Sequence, residues 1–319
     1  MKFPKIQNML FVLLSTLLTF QANAQLEVAI TIDDVPNGTT FGKETYASRL
    51  LTKLDSIKIP IAIFINEGKI QKTQDPEKSS KLLDEWAKRD YITLGNHSYS
   101  HSSYSEIGFD KFTEDVIKGE DRTRSLAKIN RKELRYFRFP YNDLGNDSIQ
   151  HHQMREFLKL NKYQITPFTV ESSDWMYNYV YEYALSIGDF EKAKGIGEEY
   201  VLKTLEAFAY CEELSTQLYK RPIRQIYLCH DNAINADFLP KIVTLLKERE
   251  YKFISLESAL KDKLYQQPDN YYNKWGISWL YRWMKEGERE KKMQSGPDTS
   301  AIKNWYNDVQ KKSGKKIVD

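Results

Sequence analysis

Five short segments contain the side chains of this sequence that are best suited to metal-dependent hydrolysis. They span residues 31–34, 97–101, 138–141, 173–175 and 226–230, and each lies at or just beyond the end of a short apolar run. In a parallel α/β barrel, the active site is built from residues at the carboxyl ends of several strands. The positions of the five segments therefore predict one shared site at the carboxyl rim of such a barrel.

The clearest metal-binding pattern is a pair of histidines, His97 and His101, in a chain with five histidines in all. Residues four apart on a helix or in a tight turn face the same side, so both imidazoles can converge on one ion. Asp33 and Asp34 end another apolar run, and two adjacent carboxylates in a crowded barrel mouth are costly unless a cation or an arginine compensates them. Two neutral histidines and one carboxylate predict a three-ligand site for one divalent ion, with Zn²⁺ expected and Co²⁺ as an alternative.

The two adjacent acids are predicted to divide the work of the site. Side chains alternate along an extended backbone, so Asp33 and Asp34 point in different directions. One carboxylate can then bind the ion while the other faces the bound water as a general base. The residues alone leave open which acid takes which role.

The later segments supply a positive charge and a second proton carrier. Arg138 follows a strand, and an arginine at an acidic barrel mouth is expected to orient a carboxylate through a bidentate pair. His230 ends another strand, on the same face as Leu228, and is expected to protonate the leaving group. A carboxylate partner would set the tautomer and the pKa of His230. Asp174 and Trp175 follow a further strand.

The elements that must position these residues alternate between strands and helices. Helical patterns cover residues 44–57, 77–89, 109–129, 198–219 and 237–249. Seven runs have strand character, at residues 26–32, 60–65, 91–94, 136–139, 163–169, 225–229 and 252–255. This alternation predicts a parallel sheet and a closed or nearly closed α/β barrel. An open doubly wound sheet is the alternative, and it is weakened because no glycine-rich dinucleotide fingerprint follows the first strand.

The first 24 residues have the pattern of a secretory signal peptide. Lys2 and Lys5 precede an apolar stretch, and Ala22-Asn-Ala24 offers a small-residue cleavage site. A transmembrane anchor is the alternative, but about 12 apolar residues are too few to span a bilayer core of ~30 Å. We therefore expect an exported protein, periplasmic or extracellular, with no membrane anchor after cleavage. Residues 25–265 are expected to form the barrel, and residues 266–319 a C-terminal helical extension with a charged tail.

Charge and cysteine content narrow the classes of partner. The chain has 47 basic and 44 acidic residues, a net charge of +3, which gives no electrostatic footprint for nucleic acid. Its two cysteines, Cys211 and Cys229, exclude a disulfide framework and favour two buried thiols, with a single bridge left open. The sequence makes no prediction of the oligomeric state.

Two regions exceed the plain strand–helix repeat. Residues 175–224 form a long segment between two predicted strands. Near the C-terminus, Trp275, Trp279 and Trp283 are spaced four apart, which places them on one face of a helix. We expect this stripe to pack against the barrel wall rather than stack on a substrate.

The five segments, taken in order, resemble the motifs of the polysaccharide deacetylase family, also called the NodB-homology or carbohydrate esterase family 4 domain. The resemblance spans roughly residues 26–260. It implies a distorted (β/α)7 barrel of the TIM-barrel type and metal-dependent removal of N- or O-linked acetyl groups from a carbohydrate polymer or oligosaccharide. Hydrolysis of a small cyclic amide, as in allantoinases, and a catalytically silent glycan-binding barrel are the alternatives.

The resemblance also implies a role for each matching residue. Four residues would act in catalysis, three would hold the metal and three would contact the oxyanion or the substrate. The expected set is Asp33 as base, Arg138 orienting it, His230 as acid and Asp174 tuning that histidine; Asp34, His97 and His101 as metal ligands; the backbone N–H of Tyr141 at the oxyanion; Leu228 in the acetyl pocket; and Trp175 at the substrate.

The sequence departs from the family pattern at two motifs. The first motif of the family usually runs Thr-Phe-Asp-Asp-Gly, whereas here Ile32 replaces the Phe and Val35-Pro36 replaces the Gly and the residue after it. Since proline fixes φ near −65°, the loop after the acids is expected to take another path. In the fourth motif, Glu171 stands where the family usually has an aspartate. Both departures bear on the substrate groove more than on the metal.

Overall fold

The computed structural model describes residues 25–40, 43–44, 47–274 and 276–313. The predicted signal peptide, residues 1–24, lies outside the described residues, as do Trp275 and the last residues of the tail. The described chain forms ten strands. They are β1 (Glu27–Val35), β2 (Thr39–Thr40), β3 (Lys43–Glu44), β4 (Ile61–Ile65), β5 (Ile92–Asn96), β6 (Tyr136–Phe137), β7 (Gln164–Ile165), β8 (Val170–Glu171), β9 (Arg224–His230) and β10 (Lys252–Phe253).

A curled parallel sheet forms the centre of the fold. Its strand order is β7-β6-β5-β4-β1-β9-β8, with β10 paired to β1, and β2 and β3 form a separate antiparallel pair. Along this path each pair of neighbours is parallel. The predicted distorted (β/α)7 barrel is confirmed, and the open doubly wound sheet is not formed.

The strand registers bring the predicted site residues to one rim. Asp33 on β1 is the direct partner of His230 on β9. On the other side of β1, Ile65 pairs with Asn96, and Asn96 pairs with Phe137. His97 and Arg138 are the residues that follow these last two positions. The carboxyl ends of β1, β5, β6 and β9 therefore meet at the same edge of the sheet.

The strands read as continuous apolar runs because both faces of the sheet are covered. All five residues of β4 are buried, and β1 is buried from Val28 to Asp33. Helices supply the outer layer, as is usual for parallel sheets. The described chain has fourteen of them: α1 (Arg49–Ile57), α2 (Glu67–Gln71), α3 (Pro76–Ala87), α4 (Tyr104–Ile107), α5 (Phe109–Lys118), α6 (Asp121–Ile129), α7 (Ser148–Leu160), α8 (Asp174–Ser186), α9 (Phe190–Tyr219), α10 (Ala233–Glu248), α11 (Leu256–Leu260), α12 (Trp279–Arg282), α13 (Glu286–Gln294) and α14 (Ser300–Ser313).

Two sequence predictions about these elements were wrong in their extent. The helix predicted over residues 109–129 is two helices, α5 and α6, with a break at Gly119 and Glu120. The strand predicted over residues 163–169 is split into β7 and β8. The split contains Pro167, which has no backbone N–H to donate to a ladder. Because β7 and β8 are the two ends of the sheet path, the short segment between them crosses the open side of the barrel.

The C-terminal extension closes this open side. The backbone N–H of Trp279 donates to the carbonyl of Phe168, at 2.9 Å, and the Ser278 hydroxyl donates to the carbonyl of Thr169, at 2.7 Å. Trp279 also packs its ring on Phe168, with centroids 5.8 Å apart. The extension thus supplies the hydrogen bonds that a further strand would otherwise provide.

The rest of the extension is docked on the barrel and not frayed up to Ser313. Arg282 is fully buried and pairs with the buried carboxylate of Asp269, which also contacts Arg155 of α7 at 3.3 Å. In α14, Ile302 and Tyr306 are buried against α8. The helix expected to carry the tryptophan stripe is a single turn, α12, in which Ser278 caps the first N–H groups. Trp279 and Trp283 pack inward, as expected, and Trp275 lies outside the described residues.

Candidate active site

Asp33 and Asp34 point apart because the backbone turns between them. Asp34 has a φ of 66°, and the pairing of β1 with β4 shifts register between Ile32 and Val35. The side chain of Asp33 is 2% exposed and faces the barrel interior, whereas that of Asp34 is 21% exposed and faces the rim. The strand runs on to Val35, and the Val35–Pro36 peptide bond is cis.

The segment that carries the two histidines is held on both sides by glycines. A Cβ on Gly119 would lie 2.5 Å from the carbonyl carbon of Ser98, and one on Gly68 would lie 2.2 Å from the carbonyl oxygen of Tyr99. The N–H of Gly68 donates to that same oxygen at 2.9 Å. His101 has a φ of 58°, so the segment is a tight turn and not a helix. The turn brings the two imidazole centroids to 4.9 Å.

Asp34, His97 and His101 form one cluster that suits a metal ion. One ligand atom from each lies within 4.8 Å of the other two. The Oδ1 atom of Asp34 is buried and forms no hydrogen bond with the described residues, and Nε2 of His101 lies 3.4 Å from it. Two imidazoles and a carboxylate are the donors that divalent zinc prefers. The residues present therefore fit a divalent ion.

Surrounding groups prepare these ligands for a cation. The carbonyl of Arg138 lies 2.8 Å from Nδ1 of His97, so this nitrogen carries the proton and Nε2 keeps its lone pair. Burial lowers the pKa of both His97 and His101 to about 4, which makes them neutral near pH 7. Neutral imidazole is the form that binds metals. Lys69, which was not predicted, holds the second oxygen of Asp34 at 2.8 Å.

Arg138 contacts the other acid, but not in the predicted manner. Its Nη1 donates to Oδ1 of Asp33 at 3.2 Å and to the hydroxyl of Thr31 at 2.8 Å, while Nη2 donates to the carbonyl of Pro167 at 3.0 Å. The predicted bidentate pair is wrong because the backbone of Pro167 takes up the second nitrogen. Burial raises the pKa of Asp33, and the charge of Arg138 opposes this rise. Asp33 is thus a buried, oriented carboxylate with a strengthened affinity for a proton.

Asp174 and His230 form a tightly bound pair on the opposite side of Asp33. Oδ1 of Asp174 lies 2.8 Å from Nδ1 of His230, and its Oδ2 accepts the backbone N–H of His230 at 2.8 Å. Burial alone would lower the pKa of His230, but the charge and the hydrogen bond of Asp174 outweigh it and raise the pKa to about 9. Near neutral pH, His230 is therefore an imidazolium that can give up a proton from Nε2.

Asp174 is itself held by a buried chain of polar side chains that the sequence analysis did not identify. Asn235 donates to Oδ2 of Asp174 at 2.6 Å and accepts from the Tyr200 hydroxyl at 2.6 Å. The hydroxyls of Tyr200 and Tyr227 lie 2.9 Å apart, and Tyr227 reaches Ser172 at 2.9 Å. The sequence signal for this series of hydrogen-bonded side chains was the position of Asn235, in the first turn of the helix that follows His230.

The predicted substrate contacts are divided between two places. Tyr141 lies at the rim, with a φ of 55° and its ring 4.7 Å from that of His101. Its backbone N–H makes no hydrogen bond with the described residues. Leu228 is buried on β9, two residues before His230. Trp175, which directly follows Asp174, is 46% exposed, and its ring packs on that of Tyr306 of α14 with centroids 5.3 Å apart.

Comparison with known proteins shows which family part of the chain resembles. Residues 21–163 match the family model described as polysaccharide deacetylase. Peptidoglycan-N-acetylglucosamine deacetylase from Bacillus cereus is 24% identical over 149 residues, which are 47% of this chain and 46% of the relative. Residues 21–163 of the chain are thus similar to polysaccharide deacetylases. The chain spans about half the length of this curated relative.

Solved structures of family 4 carbohydrate esterases, the name under which polysaccharide deacetylases are also grouped, have the same fold. A mutant of a pseudoenzyme of this family aligns with a TM-score of 0.51 and 17% identity, over 75% of this chain and 68% of that chain. The wild-type pseudoenzyme, from Bacillus anthracis, aligns with a TM-score of 0.49 and 16% identity, over 75% of this chain and 66% of that chain. The first of these alignments supports the distorted barrel.

The family match covers only part of the candidate site described above. Asp33, the three clustered ligands and Arg138 lie within residues 21–163, whereas Asp174 and His230 lie beyond them. The structure nevertheless places His230 directly beside Asp33 across the β1–β9 pair. The two parts of the chain therefore contribute to a single site.

Proposed function

We propose that this protein is a metal-dependent hydrolase that removes acetyl groups from a carbohydrate polymer or oligosaccharide. The observation that carries this proposal is the placement of Asp33, a buried carboxylate, between the Asp34–His97–His101 cluster and the Asp174–His230 pair. The similarity to a peptidoglycan-N-acetylglucosamine deacetylase supports an acetylated sugar as the substrate. Zn²⁺ is the proposed ion, because the two imidazoles and one carboxylate of the cluster match its preferred ligands.

Asp34, His97 and His101 would hold the metal ion, and each side chain around them has a defined task. When bound, the ion supplies Lewis acidity, which makes a water more acidic and polarises the acetyl carbonyl. Asp33 accepts the proton of the attacking water, and its raised pKa strengthens it as a base. Arg138 keeps the Asp33 carboxylate in place through the contact at 3.2 Å.

The developing negative charge and the leaving group are served from the two sides of the rim. The unpaired N–H of Tyr141 donates to the oxyanion, and such a donor contributes about 3 kcal/mol to transition-state stabilisation. His230, protonated near neutral pH, gives its Nε2 proton to the departing amine or alcohol as the C–N or C–O bond breaks. Asp174 then stabilises the correct tautomer of the neutral imidazole.

A catalytically silent glycan-binding barrel is the principal competing function, because two structural neighbours are described as pseudoenzymes. Such a protein is expected to lack a base, a metal ligand or the acid. This chain retains all of these residues, and Asp174 and His230 remain within hydrogen-bonding distance at 2.8 Å. The retained geometry favours catalysis.

An acetate-release assay tests the proposed function. The purified protein, supplied with Zn²⁺ or Co²⁺, is expected to release acetate from at least one member of a panel of amide- and ester-linked acetylated glycans. Asp33→Asn is expected to abolish release while the metal stays bound. Asp110→Asn, an exposed acid at the start of α5, is the matched control and is expected to behave like the wild type. Near-full activity of Asp33→Asn would show that the assigned base is wrong.

We also propose that the protein is exported to the periplasm or the exterior. The support is the basic, apolar and small-residue order of residues 1–24. N-terminal sequencing of the protein made in its native host is expected to begin at Gln25. A chain that retains Met1 in the cytosolic fraction would contradict export. No helix in the described part of the chain is long and apolar enough to cross a membrane.

A further inference from the structure

A cavity of about 330 Å³ lies beside the catalytic rim and is not used by the mechanism above. Its walls come from the end of β8, from α8 and α9, and from the C-terminal extension. Its lining includes Glu171, Ser172, Tyr177, Tyr210, Tyr281 and Met293. All of its lining residues follow residue 163, so this cavity is built outside the matched family segment. Its volume lies at the lower end of the range for small-molecule sites.

The lining of this cavity suits a polyhydroxylated ligand. Three tyrosine rings offer flat apolar faces, while the carboxyl of Glu171 and the hydroxyl of Tyr177 offer polar groups. One oxygen of Glu171 accepts the N–H of Ser173, and the Tyr177 hydroxyl makes no hydrogen bond with the described residues. Tyr177 is 3% exposed as a whole, but its hydroxyl is not among the enclosed unpartnered atoms of the described residues, so a ligand or water in the cavity can bind it.

The charges around the cavity disfavour a phosphorylated ligand. Lys203 is paired with Glu206 at 2.7 Å, and both Lys203 and Lys303 lie near the carboxylate of Asp298. The positive and negative groups therefore balance, and Glu171 adds a further acid. A fully apolar ligand is equally unsuited, because it would leave the carboxyl and hydroxyl groups without partners. A neutral sugar ring, with apolar faces and hydroxyl edges, satisfies both parts of this lining.

The cavity is directly connected to the catalytic pair. Glu171 is the register partner of Leu228, which lies two residues before His230. Ser173, another lining residue, immediately precedes Asp174. Ser172 begins the hydrogen-bonded chain that runs through Tyr227, Tyr200 and Asn235 to Asp174. Gly276, which also lines the cavity, lies against the carbonyl of Tyr141, so the cavity adjoins the rim at which the acetyl group is proposed to bind.

We propose that this cavity is a subsite for a second sugar ring of the glycan that is deacetylated. The inference rests on the proposed function for the identity of the glycan, but the cavity and its lining stand independently of catalysis. It predicts that the protein prefers oligosaccharides to monosaccharides, and that this preference resides in residues of α8 and the C-terminal extension.

Binding and kinetics with N-acetylglucosamine and its pentamer test the subsite. Pentamer affinity is measured by calorimetry on metal-free protein, so that binding is read without turnover. Tyr177→Phe removes the unpaired hydroxyl and keeps the ring, and Met293→Trp narrows the mouth from an exposed position on α13. Each is expected to weaken pentamer binding about fivefold and to raise KM for the pentamer more than it lowers kcat. Tyr183→Phe, on α8 but outside the cavity lining, is the matched control.

The outcomes separate this inference from the proposed function. If acetate is released but both variants bind the pentamer like the wild type, the subsite is wrong and the hydrolase stands. If no glycan releases acetate but the two variants lose affinity while Tyr183→Phe does not, the hydrolase is wrong and the cavity is a glycan site. A wild-type protein that does not bind the pentamer overturns the subsite directly.

Discussion

Asp33 and His230 are direct partners across the parallel pair of β1 and β9. These two strands are far apart in the sequence: Thr31 of β1 donates a hydrogen bond to Tyr227 of β9, which is 196 residues away. Partners in register on adjacent strands point to the same face of a sheet. One strand pairing therefore sets the relative position of the proposed base and acid. The Arg138 and Asp174 contacts then fix the orientation of each side chain within that frame.

Asp174→Asn is expected to reduce kcat by about 10²–10⁴-fold, because an amide removes the charge that stabilises protonated His230 and can select the wrong tautomer. In the wild type, His230 has a pKa of about 9, above its ordinary value of 6.5. Turnover should therefore decline as the pH rises through about 9 and the acid is lost. In Asp174→Asn this alkaline limb should move to lower pH.

The same pair contributes to stability with a defined sign. Because the folded-state pKa of His230 is raised, its stabilisation is fully present below pH 6.5 and is lost as the pH rises through about 9. A pH profile of kcat measures the position of the alkaline limb. An NMR titration measures the pKa of His230, on which its contribution to stability depends. An alkaline limb that stays in place in Asp174→Asn would contradict the assigned role of His230. Asp110→Asn serves again as the control.

Replacing His97 or His101 by Ala is expected to empty the metal site. Wild-type protein dialysed against Zn²⁺ should contain one equivalent of metal by elemental analysis, and its thermal midpoint should rise with added Zn²⁺, since a ligand that binds only the folded state stabilises it. A variant in which both His97 and His101 are replaced by Ala should show neither effect. His152→Ala, which alters an exposed histidine on α7, is the matched control. A full equivalent of metal in the double variant would refute the ligand assignment.

Gly119→Ala is expected to disturb the histidine turn without touching a ligand. The new Cβ would lie 2.5 Å from the Ser98 carbonyl carbon, and overpacking of this kind typically costs about 1–3 kcal/mol. We therefore expect weaker Zn²⁺ binding together with a lower free energy of unfolding. Gly195→Ala is the control, because nothing lies within 4 Å of its added Cβ, and in the exposed interior of α9 it should gain up to about 1 kcal/mol. Urea unfolding measures the free energy of unfolding of each variant, and Zn²⁺ titration measures its affinity for the ion.

Asp269→Ala is expected to loosen the C-terminal extension, because Asp269 joins Arg282 of the extension to Arg155 of α7, which it contacts at 3.3 Å. The substitution leaves the guanidinium of Arg282, which is fully buried, without its carboxylate, and breaking a buried pair in this way typically costs about 3–5 kcal/mol. The free energy of unfolding in urea measures this loss. Asp308→Ala, an exposed acid on α14, should change it by less than about 0.5 kcal/mol. Equal stability of the two variants would show that the Arg282 pair is not a structural anchor.

The features of the fold that depend on a local sequence pattern were predictable. The barrel was predictable because strands buried on both faces, such as Ile61–Ile65, read as continuous apolar runs. Polar residues directly after such runs stand out from their neighbours, which is why the sequence alone predicts the segments that form the site. The parallel arrangement predicted that His97 and His101 meet one of the two adjacent acids, and the family resemblance indicated Asp34 as that acid.

Long-range contacts explain what the sequence did not reveal. The single contact of Arg138 with Asp33 depends on the carbonyl of Pro167, which the crossing segment brings to the second guanidinium nitrogen. Lys69 and Asn235 reach the site from helices whose surface patterns gave no sign of it. The break between α5 and α6 depends on how closely Gly119 approaches the backbone of Ser98, a constraint that appears only in three dimensions.

The hydrogen bonds of Trp279 and Ser278 to Phe168 and Thr169 have a consequence for biogenesis. Gly276, at the start of the same segment, has no room for a side chain, because a Cβ there would lie 2.2 Å from the carbonyl oxygen of Tyr141. A nascent polypeptide that has not yet been synthesised beyond residue 275 lacks the segment that closes the open side of the barrel and abuts Tyr141. The proposed site can therefore be completed only after residues 276–279 have been translated.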